Sequence, residues 1–254
     1  MLKKILVSAP TASAKHYCFE KWIDNVMKFT YPNFQVRLFD NTLDNGESVN
    51  FQNELFKKKY GENNDDFLAI HSDSTNSKGL IDRMAKSHND CRLYAINNDF
   101  DYMLHLESDV LPPSNVIEEL LSHNKDVCGA VYYRDEGVSR RVMVQQRIYR
   151  SAQNIATENA TTRYDVNFCD GSLQIAAHIG LGCVLISKKI LQTIPFRFVH
   201  WSESHGIAMH PDVYFGEDCF TNKIKIYCDT SLICSHDNKN WNLDVYMEGE
   251  GGKV

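Results

Sequence analysis

The sequence predicts an α/β fold in which a mostly parallel central sheet is flanked by helices. In the first half of the chain, short apolar runs typical of buried strands alternate with longer amphipathic stretches typical of helices. The composition, with 43% hydrophobic and 24% charged residues, suits a chain that forms and solvates a core. The length of 254 residues, without a Pro- or Gly-rich linker, fits a single domain.

Five apolar runs in the first half predict strands, and the stretches between them predict helices. Strands are expected at residues 3–9, 34–39, 67–71, 102–106 and 127–133, and helices at 16–29, 47–60, 78–97 and 115–122. In sheets of this kind ligands bind beyond the carboxyl ends of the strands, so the polar residues at those ends should meet at one rim. They are Thr11, Asp40, Asn41, Asp73 and the Glu107–Asp109 cluster.

The second half of the chain is less regular. Residues 134–170 are polar, and residues 197–212 form a predicted loop rich in His and Trp. Strands are expected at 179–187, 224–227 and 231–234, and short helices at 188–193 and 216–223.

Charge and cysteine content exclude several classes of protein. The 33 acidic and 27 basic residues give a formal charge of −6, which disfavours a protein that coats nucleic acid or an anionic membrane. No apolar run approaches the ~20 residues of a membrane span, and the N-terminal apolar core at residues 5–7 is shorter than a signal peptide needs. Eight dispersed cysteines without a C-x-x-C pair predict buried, reduced thiols in a cytoplasmic protein.

The sharpest local feature is Glu107-Ser108-Asp109, where a buried apolar strand breaks. Burying carboxylates costs several kcal/mol unless they are paired or bind a metal. Two carboxylates at a strand end suit a hard divalent cation, Mn²⁺ or Mg²⁺, that also bridges substrate phosphates. The alternative is that Asp109 simply starts the turn before Pro112.

This segment and its context resemble the GT-A glycosyltransferases. The resemblance lies in a strand that ends in Asp40-Asn41, then N-S-K-G with Arg83, then Y-M-L-H-L-E-S-D-V. In that fold a D-x-D motif holds Mn²⁺ or Mg²⁺ against the diphosphate of a nucleotide sugar. Glu107 replaces the first Asp. Its role therefore stays open between a contact to the metal and a contact to the sugar or ribose. Asp109 keeps the last Asp and is the expected metal ligand.

The resemblance extends to the second half of the chain. The segment V-Y-F-G-E-D-C-F at 213–220 is similar to the E-D motif of inverting family 2 enzymes, which implies Asp218, beside Glu217, as the catalytic base. A carboxylate is needed there to take the proton of the attacking hydroxyl. The alternative is an acidic pair that caps a short helix. His236 resembles the late histidine that serves as a further metal ligand; a packed or surface imidazole is the alternative.

The resemblance also implies a set of donor contacts and leaves the stereochemistry open. The expected nucleotide-sugar-binding residues are Pro10, Thr11, Asp40, Asn41, Arg83, Glu107 and Ser108. Turn formation by Asp-Asn, and a surface position for the arginine, are the alternatives. The segment I-G-L-G-C-V-L-I-S, followed by G-E-D and a late His, is also similar to retaining Anp1-type mannosyltransferases. The Q-x-x-R-W motif of processive synthases is absent, which favours a single addition.

Three residues are expected on the acceptor side. Gly182 resembles a small-residue turn that lets donor and acceptor approach, and Trp201 offers a stacking surface for a sugar or base, with core packing as the alternative. Arg134 opens segment 134–150, whose five arginines and two acidic residues give a local charge of +3. That charge predicts a grip on phosphate, in the donor or in an anionic acceptor such as DNA; a solvated face is the alternative.

These expectations together predict a metal-dependent hexosyl- or pentosyltransferase. It moves a single sugar, from a UDP-sugar by preference, to a hydroxyl of a glycan or of a modified DNA base. The expected organisation is one GT-A domain over residues 1–254, with a nucleotide-sugar-binding half (1–133), an acceptor-side half (134–240) and a tail (241–254). The rival hypotheses are a GT-A-like module that binds nucleotide or glycan without catalysis, and a sugar nucleotidyltransferase. The second lacks a Gly-rich phosphate loop near the N-terminus.

Overall fold

The structure is a computed structural model that describes residues 2–62, 64–73, 76–77, 79–135, 140–148, 161–164, 168–197 and 210–237. Its strands, numbered in chain order, are β1 Ile5–Thr11, β2 Phe34–Asp40, β3 Phe67–His71, β4 Tyr102–Leu106, β5 Val110–Leu111, β6 Val127–Val131, β7 Tyr133–Asp135, β8 Arg140–Val142, β9 Val144–Ile148, β10 Thr161–Tyr164, β11 Leu173–Ala176, β12 His178–Ile179, β13 Cys183–Ser187, β14 Ile226–Ile233 and β15 Ser235–His236. Its helices are α1 His16–Val26, α2 Glu47–Tyr60, α3 Leu80–Asn97, α4 Val116–Ser122, α5 Lys188–Thr193 and α6 Pro211–Thr221.

Eight strands form the central sheet in the order β11-β14-β6-β13-β4-β1-β2-β3. Strand β1 is parallel to β2 and β4, β2 is parallel to β3, and β6 is parallel to β14. Strand β13 lies antiparallel between β4 and β6, so a strand from the second half of the chain is inserted among strands of the first. The α/β fold with a mostly parallel central sheet is confirmed.

Helices cover both faces of the sheet, which explains why its strands are apolar without interruption. Ile5, Leu6 and Val7 of β1 are fully buried on alternating faces. One face carries α1, α2 and α4, and the other carries α3, α5 and α6. Helix α1 shows how the sequence dictates this, because its buried residues recur every three or four positions and form a single stripe. They are Cys18, Phe19, Trp22, Ile23 and Val26.

Several expected boundaries in the second half differ in the structure. The strands predicted at 224–227 and 231–234 are one strand, β14, and the helix predicted at 216–223 begins at Pro211, a residue favoured in the first helical turn. Polar residues 134–170 hold most of the β7–β8 hairpin and strands β9 and β10, which form a three-stranded sheet of order β10-β9-β12 with the later strand β12. Val142 and Val144 are buried in one core cluster, and Met143 between them packs, partly buried, against the other.

All eight cysteines are free thiols, and seven of them are buried. The expected cytoplasmic location stays a prediction. In the described part of the chain, no helix has both the length and the apolar character that crossing a membrane requires.

Candidate functional site

Two short strands, β5 and β15, bring Asp109 and His236 of the predicted site together. Strand β4 ends at Leu106, the Glu107-Ser108-Asp109 turn follows, and the chain continues into β5. Strand β15 pairs antiparallel with β5, which sets His236 opposite Val110. The backbone N–H of Asp237 donates to the carbonyl of Asp109 at 2.8 Å. This pairing places His236 beside Asp109, as the resemblance implied.

Asp109 is a buried carboxylate with unequal oxygens. Its Oδ2 contacts the Lys15 ammonium and lies 3.4 Å from Nε2 of His236, whereas Oδ1 is buried without a hydrogen-bond partner among the described residues. Burial opposes the charged form, but the hydrogen bond from His236 and the charge of Lys15 hold the pKa of Asp109 below its usual value. An ionised, buried oxygen without a donor is costly, so the chemistry of this carboxylate suits a further cationic partner.

The ring of His236 is oriented by its other nitrogen. Nδ1–H donates to the carbonyl of Tyr133 at 3.0 Å, which directs Nε2 at Asp109. The ring also meets the Tyr132 ring edge-on, with 5.2 Å between centroids. Burial lowers the pKa of His236, and the hydrogen bond and charge of Asp109 outweigh this and raise it. A backbone acceptor on the far nitrogen is the usual support of a metal-ligating histidine.

Glu107 lies at the same rim as Asp109. Burial and the charge of Asp109 raise the pKa of Glu107 to about 7, although Lys15 and His236 oppose the shift. Its backbone N–H donates to the carbonyl of Gly182 at 3.1 Å, which ties the acidic turn to the start of β13. The charged form of Glu107 is therefore disfavoured beside the charged form of Asp109.

Two residues of this site were missed by sequence reasoning. Lys15 ends a short 3₁₀ turn between β1 and α1, inside a stretch interpreted only as a loop. Asp212 lies in the first turn of α6; burial raises its pKa, and its charge acts on both Glu107 and Tyr132. The Pro211-Asp212 pair is a helix-start signal that marks this position, but residues 197–212 were predicted as loop.

The two acidic residues of the E-D segment lie on α6 and have basic partners outside that helix. Asp218 accepts two hydrogen bonds from Arg197, at 2.7 and 2.8 Å, and Glu217 lies 2.9 Å from Nε2 of His178. A side chain at Gly216 would collide with the His178 ring, so the glycine lets α6 approach β12 closely. Asp218 is six residues after Asp212, roughly 9 Å further along the helix axis. The assignment of Asp218 as base stays a prediction.

The expected donor contacts cluster at the carboxyl ends of β1, β2 and β4. Thr11 and Ser108 are buried and share a hydrogen bond of 3.1 Å, which links β1 to the acidic turn. Asp40 is fully buried, and its carboxylate accepts hydrogen bonds from the Thr42 N–H at 2.8 Å, the Ser48 hydroxyl at 2.6 Å and the Gln52 amide. In this arrangement Asp40 orders the loop between β2 and α2.

The remaining expected donor contacts lie around the same loops. Pro10 pairs in register with Phe39, and the N–H of buried Asn41 donates to the Thr11 carbonyl at 3.0 Å. Arg83 lies in the first turn of α3, where its N–H donates to the Gly79 carbonyl. These positions frame the rim, and direct contact with a nucleotide stays a prediction for each.

The acceptor-side expectations have different outcomes. A side chain at Gly182 would lie 2.5 Å from the Tyr132 ring, so this glycine makes room for the tyrosine beside the site. Arg134 is exposed on β7 and stands directly opposite Arg141 of β8. Trp201 lies outside the described residues, as do His200 and His205.

The donor set at the rim fits a hard divalent cation. Asp109 offers the buried oxygen Oδ1, and His236 offers Nε2. In the described part of the chain, no three His, Cys, Asp or Glu side chains lie close enough together to hold a metal by themselves. Mg²⁺ and similar ions are commonly held by one or two carboxylates together with substrate phosphates, so a two-residue protein contribution suits a site completed by a phosphorylated substrate.

No protein-family model and no curated protein matches the sequence. Among solved structures, the chain is similar to GalNAc-T7 in complex with UDP, GalNAc and Mn²⁺, with a TM-score of 0.59 and 9% identity over 95% of this chain and 45% of that one. It also aligns with S. aureus TarS 1–349 in complex with UDP-GlcNAc, with a TM-score of 0.48 and 15% identity over 93% and 56% of the two chains. For A197 from STIV the TM-score is 0.43, with 15% identity over 92% and 85%.

The TM-scores of TarS and A197 are too low to define a shared fold, so the similarity to GalNAc-T7 carries the comparison. It concerns the fold, and this chain spans less than half of the GalNAc-T7 chain. The eight-stranded, mostly parallel sheet with helices on both faces agrees with that similarity. The chain therefore has the GT-A glycosyltransferase fold.

Proposed function

We propose that the protein is a metal-dependent glycosyltransferase that moves a single hexosyl or pentosyl group from a UDP-sugar to an acceptor hydroxyl. The observation that carries the proposal is the buried Asp109 carboxylate, whose Oδ1 lacks a described partner while His236 and Lys15 flank Oδ2. A stable fold tolerates such an oxygen where a ligand completes it. The position of this oxygen, at the carboxyl edge of a GT-A sheet, is where nucleotide ligands of open α/β sheets bind.

Asp109 and His236 are the proposed ligands of Mn²⁺ or Mg²⁺. When bound, the metal supplies a Lewis acid that neutralises charge on the departing diphosphate. The chain's own part is to hold the two ligands in place. Tyr133 fixes the histidine ring, and the β5–β15 pairing fixes the distance between the two ligand-bearing segments. Glu107 is proposed to contact the sugar or ribose of the donor.

The acceptor hydroxyl must lose a proton as its oxygen attacks, and we assign that proton to a carboxylate of α6. Asp218, the residue of the E-D segment, is the proposed base for an inverting transfer. It is held by Arg197, so the acceptor must replace that partner. Asp212 is the rival on the same helix, because its charge acts on the rim and no ion pair joins it to another described residue.

The β7–β8 hairpin supports a glycan acceptor that carries an anionic group. Arg134 and Arg141 stand directly opposite each other across the hairpin, where like charges repel and an anion bound between them would relieve the repulsion. The hairpin begins at Tyr133, which bonds His236, so this positive charge is near the metal ligands.

The test is release of free nucleotide from a panel of UDP-, GDP- and CMP-sugars in the presence of Mn²⁺. Hydrolysis to water reports donor cleavage even without the natural acceptor. Silence across the panel, together with no metal-dependent thermal shift with UDP, would refute the transferase. Tight UDP binding with no turnover under any condition would select a non-catalytic nucleotide-binding module instead.

A further inference from the structure

Lys15 forms an ion pair with Asp109, the proposed metal ligand. Its ammonium contacts Oδ2 of Asp109, and the two side chains are 23% and 2% exposed. The contact is an ion pair at the rim, because a neutral amine would leave the Asp109 carboxylate buried without this cationic partner. The carboxylate proposed to bind a metal therefore already has a cation on one of its oxygens.

A second cation at the same carboxylate changes the charge balance of the rim. Before any ligand binds, the ammonium of Lys15 compensates the negative charge of Asp109. A divalent ion at Oδ1 would repel that ammonium across a few ångströms, and the repulsion is strong because the site is poorly solvated. The lysine side chain is a compact charge on a flexible four-carbon stem, so it can leave Oδ2 without moving the backbone.

The displaced ammonium has a destination on the same edge of the sheet. Lys15 ends the turn that follows β1, beside the carboxyl ends of β1 and β4, where a bound nucleotide would lie. A diphosphate brings negative charge and strong acceptor oxygens. With both the metal and the diphosphate present, Asp109 and part of the phosphate charge balance the charge of the metal. The rest of the phosphate charge balances the ammonium of Lys15.

We propose that Lys15 is an internal counter-ion of Asp109 that the divalent metal displaces, and that the displaced ammonium then binds the diphosphate of the donor. This inference rests on the proposed function, because it takes the donor to be a nucleoside diphosphate sugar. Metal and nucleotide then bind cooperatively. The metal frees the ammonium of Lys15 to bind the diphosphate, and the diphosphate supplies the negative charge that the displaced ammonium needs. The coupling is reciprocal: UDP strengthens Mn²⁺ binding by the same factor by which Mn²⁺ strengthens UDP binding.

The experiment is calorimetry of the full chain with Mn²⁺ alone, and with UDP or uridine in the presence of Mn²⁺. The test variant is Lys15→Met, which keeps the length of the side chain and removes its charge. The control is Lys188→Met, because Lys188 pairs with Asp99 at 2.6 Å, is 29% exposed, and lies at the opposite end of β4. Lys15→Arg keeps the charge and shows whether a changed side chain by itself disturbs the fold.

We expect Lys15→Met to bind Mn²⁺ alone about tenfold more tightly and UDP about tenfold more weakly, the size of one charge-assisted hydrogen bond. Uridine binding should be unchanged, because uridine lacks the diphosphate. Lys188→Met should match the unmodified chain in all three titrations, and Lys15→Arg should match it for Mn²⁺.

Equal Mn²⁺ affinity in Lys15→Met and the unmodified chain overturns the counter-ion role. Parallel losses of UDP and uridine overturn the contact to the diphosphate. If the unmodified chain binds neither Mn²⁺ nor UDP, the proposed function itself fails, and the role of Lys15 fails with it. These results are distinguishable, because only the last one appears without any substitution.

Discussion

Two acidic pairs were singled out from the sequence, and the structure gives them opposite surroundings. Asp109 of the first pair is buried, with one oxygen unpartnered among the described residues. Asp218 of the second pair is bonded through both oxygens to Arg197, and Glu217 is paired with His178. In the first pair, Oδ1 of Asp109 has no described partner although Lys15 and His236 flank Oδ2, whereas the second pair already joins α6 to the rest of the protein.

This difference shows what adjacent acids in a sequence can and cannot reveal. A pair with complete partners stabilises the native fold whether or not a substrate is present. An incomplete buried carboxylate is costly by itself, so its retention is best explained by a bound ion. The substitutions below test whether the two pairs differ in function as they differ in surroundings.

The largest effect is expected for Asp109→Asn. It removes the proposed metal ligand, and losing several kcal/mol of charge stabilisation corresponds to about 10³-fold in kcat. UDP release and Mn²⁺ calorimetry measure the two consequences. Asp229→Asn is the matched control, because Asp229 is also buried and bonds His123 at 2.7 Å but is not part of the proposed site. Undiminished Mn²⁺ binding by Asp109→Asn would contradict the assignment.

The next effect separates the two carboxylates of α6. Asp218→Asn should lower kcat by about 10²-fold or more, because a general base is lost, while UDP and Mn²⁺ affinities stay the same. Asp212→Asn removes a charge that raises the pKa of Glu107, so that pKa should fall. The pH dependence of UDP release should then move to lower pH. Full activity of Asp218→Asn, together with loss of kcat in Asp212→Asn, would move the base to Asp212.

A third prediction concerns the support beneath the first acidic pair. In β4, His105 Nδ1–H donates to the Leu181 carbonyl, and its Nε2 accepts from Nδ1–H of His88 at 2.8 Å. Burial lowers the pKa of His105 to about 4 and that of His88 well below its usual value. Between about pH 6.5 and 4 the unfolded chain binds more protons, so the free energy of unfolding should fall as the pH falls.

Denaturant unfolding at pH 7, 6 and 5 measures this slope, to which each histidine contributes up to about 1.4 kcal/mol per pH unit. His88→Gln keeps a donor for His105 and removes one titrating group, so it should flatten the slope. A stability that does not change across this range would show that the histidine pair is charged in the native state.

The smallest effect is expected for Arg197→Gln. It breaks the ion pair with Asp218, and since Arg197 is 42% exposed the loss should be about 0.2–1 kcal/mol in the free energy of unfolding. Thermal unfolding measures that loss. If Asp218 is the base, freeing it should leave kcat for UDP release equal or higher. A large loss of kcat would show that Arg197 itself acts in the reaction.

The sequence analysis was strongest where function follows from strand order. Asp109 was located because a buried strand ends beside it, and His236 because a strand precedes it at the proper place in the chain. Lys15 and Asp212 were missed because neither follows a buried strand, and their contacts depend on how a loop and a helix approach the sheet. The antiparallel position of β13 was equally hidden, since an apolar run carries no information about its direction.

The β5–β15 pairing also affects the order in which the molecule can assemble. Asp109 is synthesised early, but the histidine beside it is on a strand more than 120 residues later in the chain. The first half of the chain can gather its own strands as it emerges, because β1, β2, β3 and β4 are neighbours in sequence and in space. The β5–β15 pairing that brings Asp109 and His236 together needs the strand that follows β14, so this pairing is completed late.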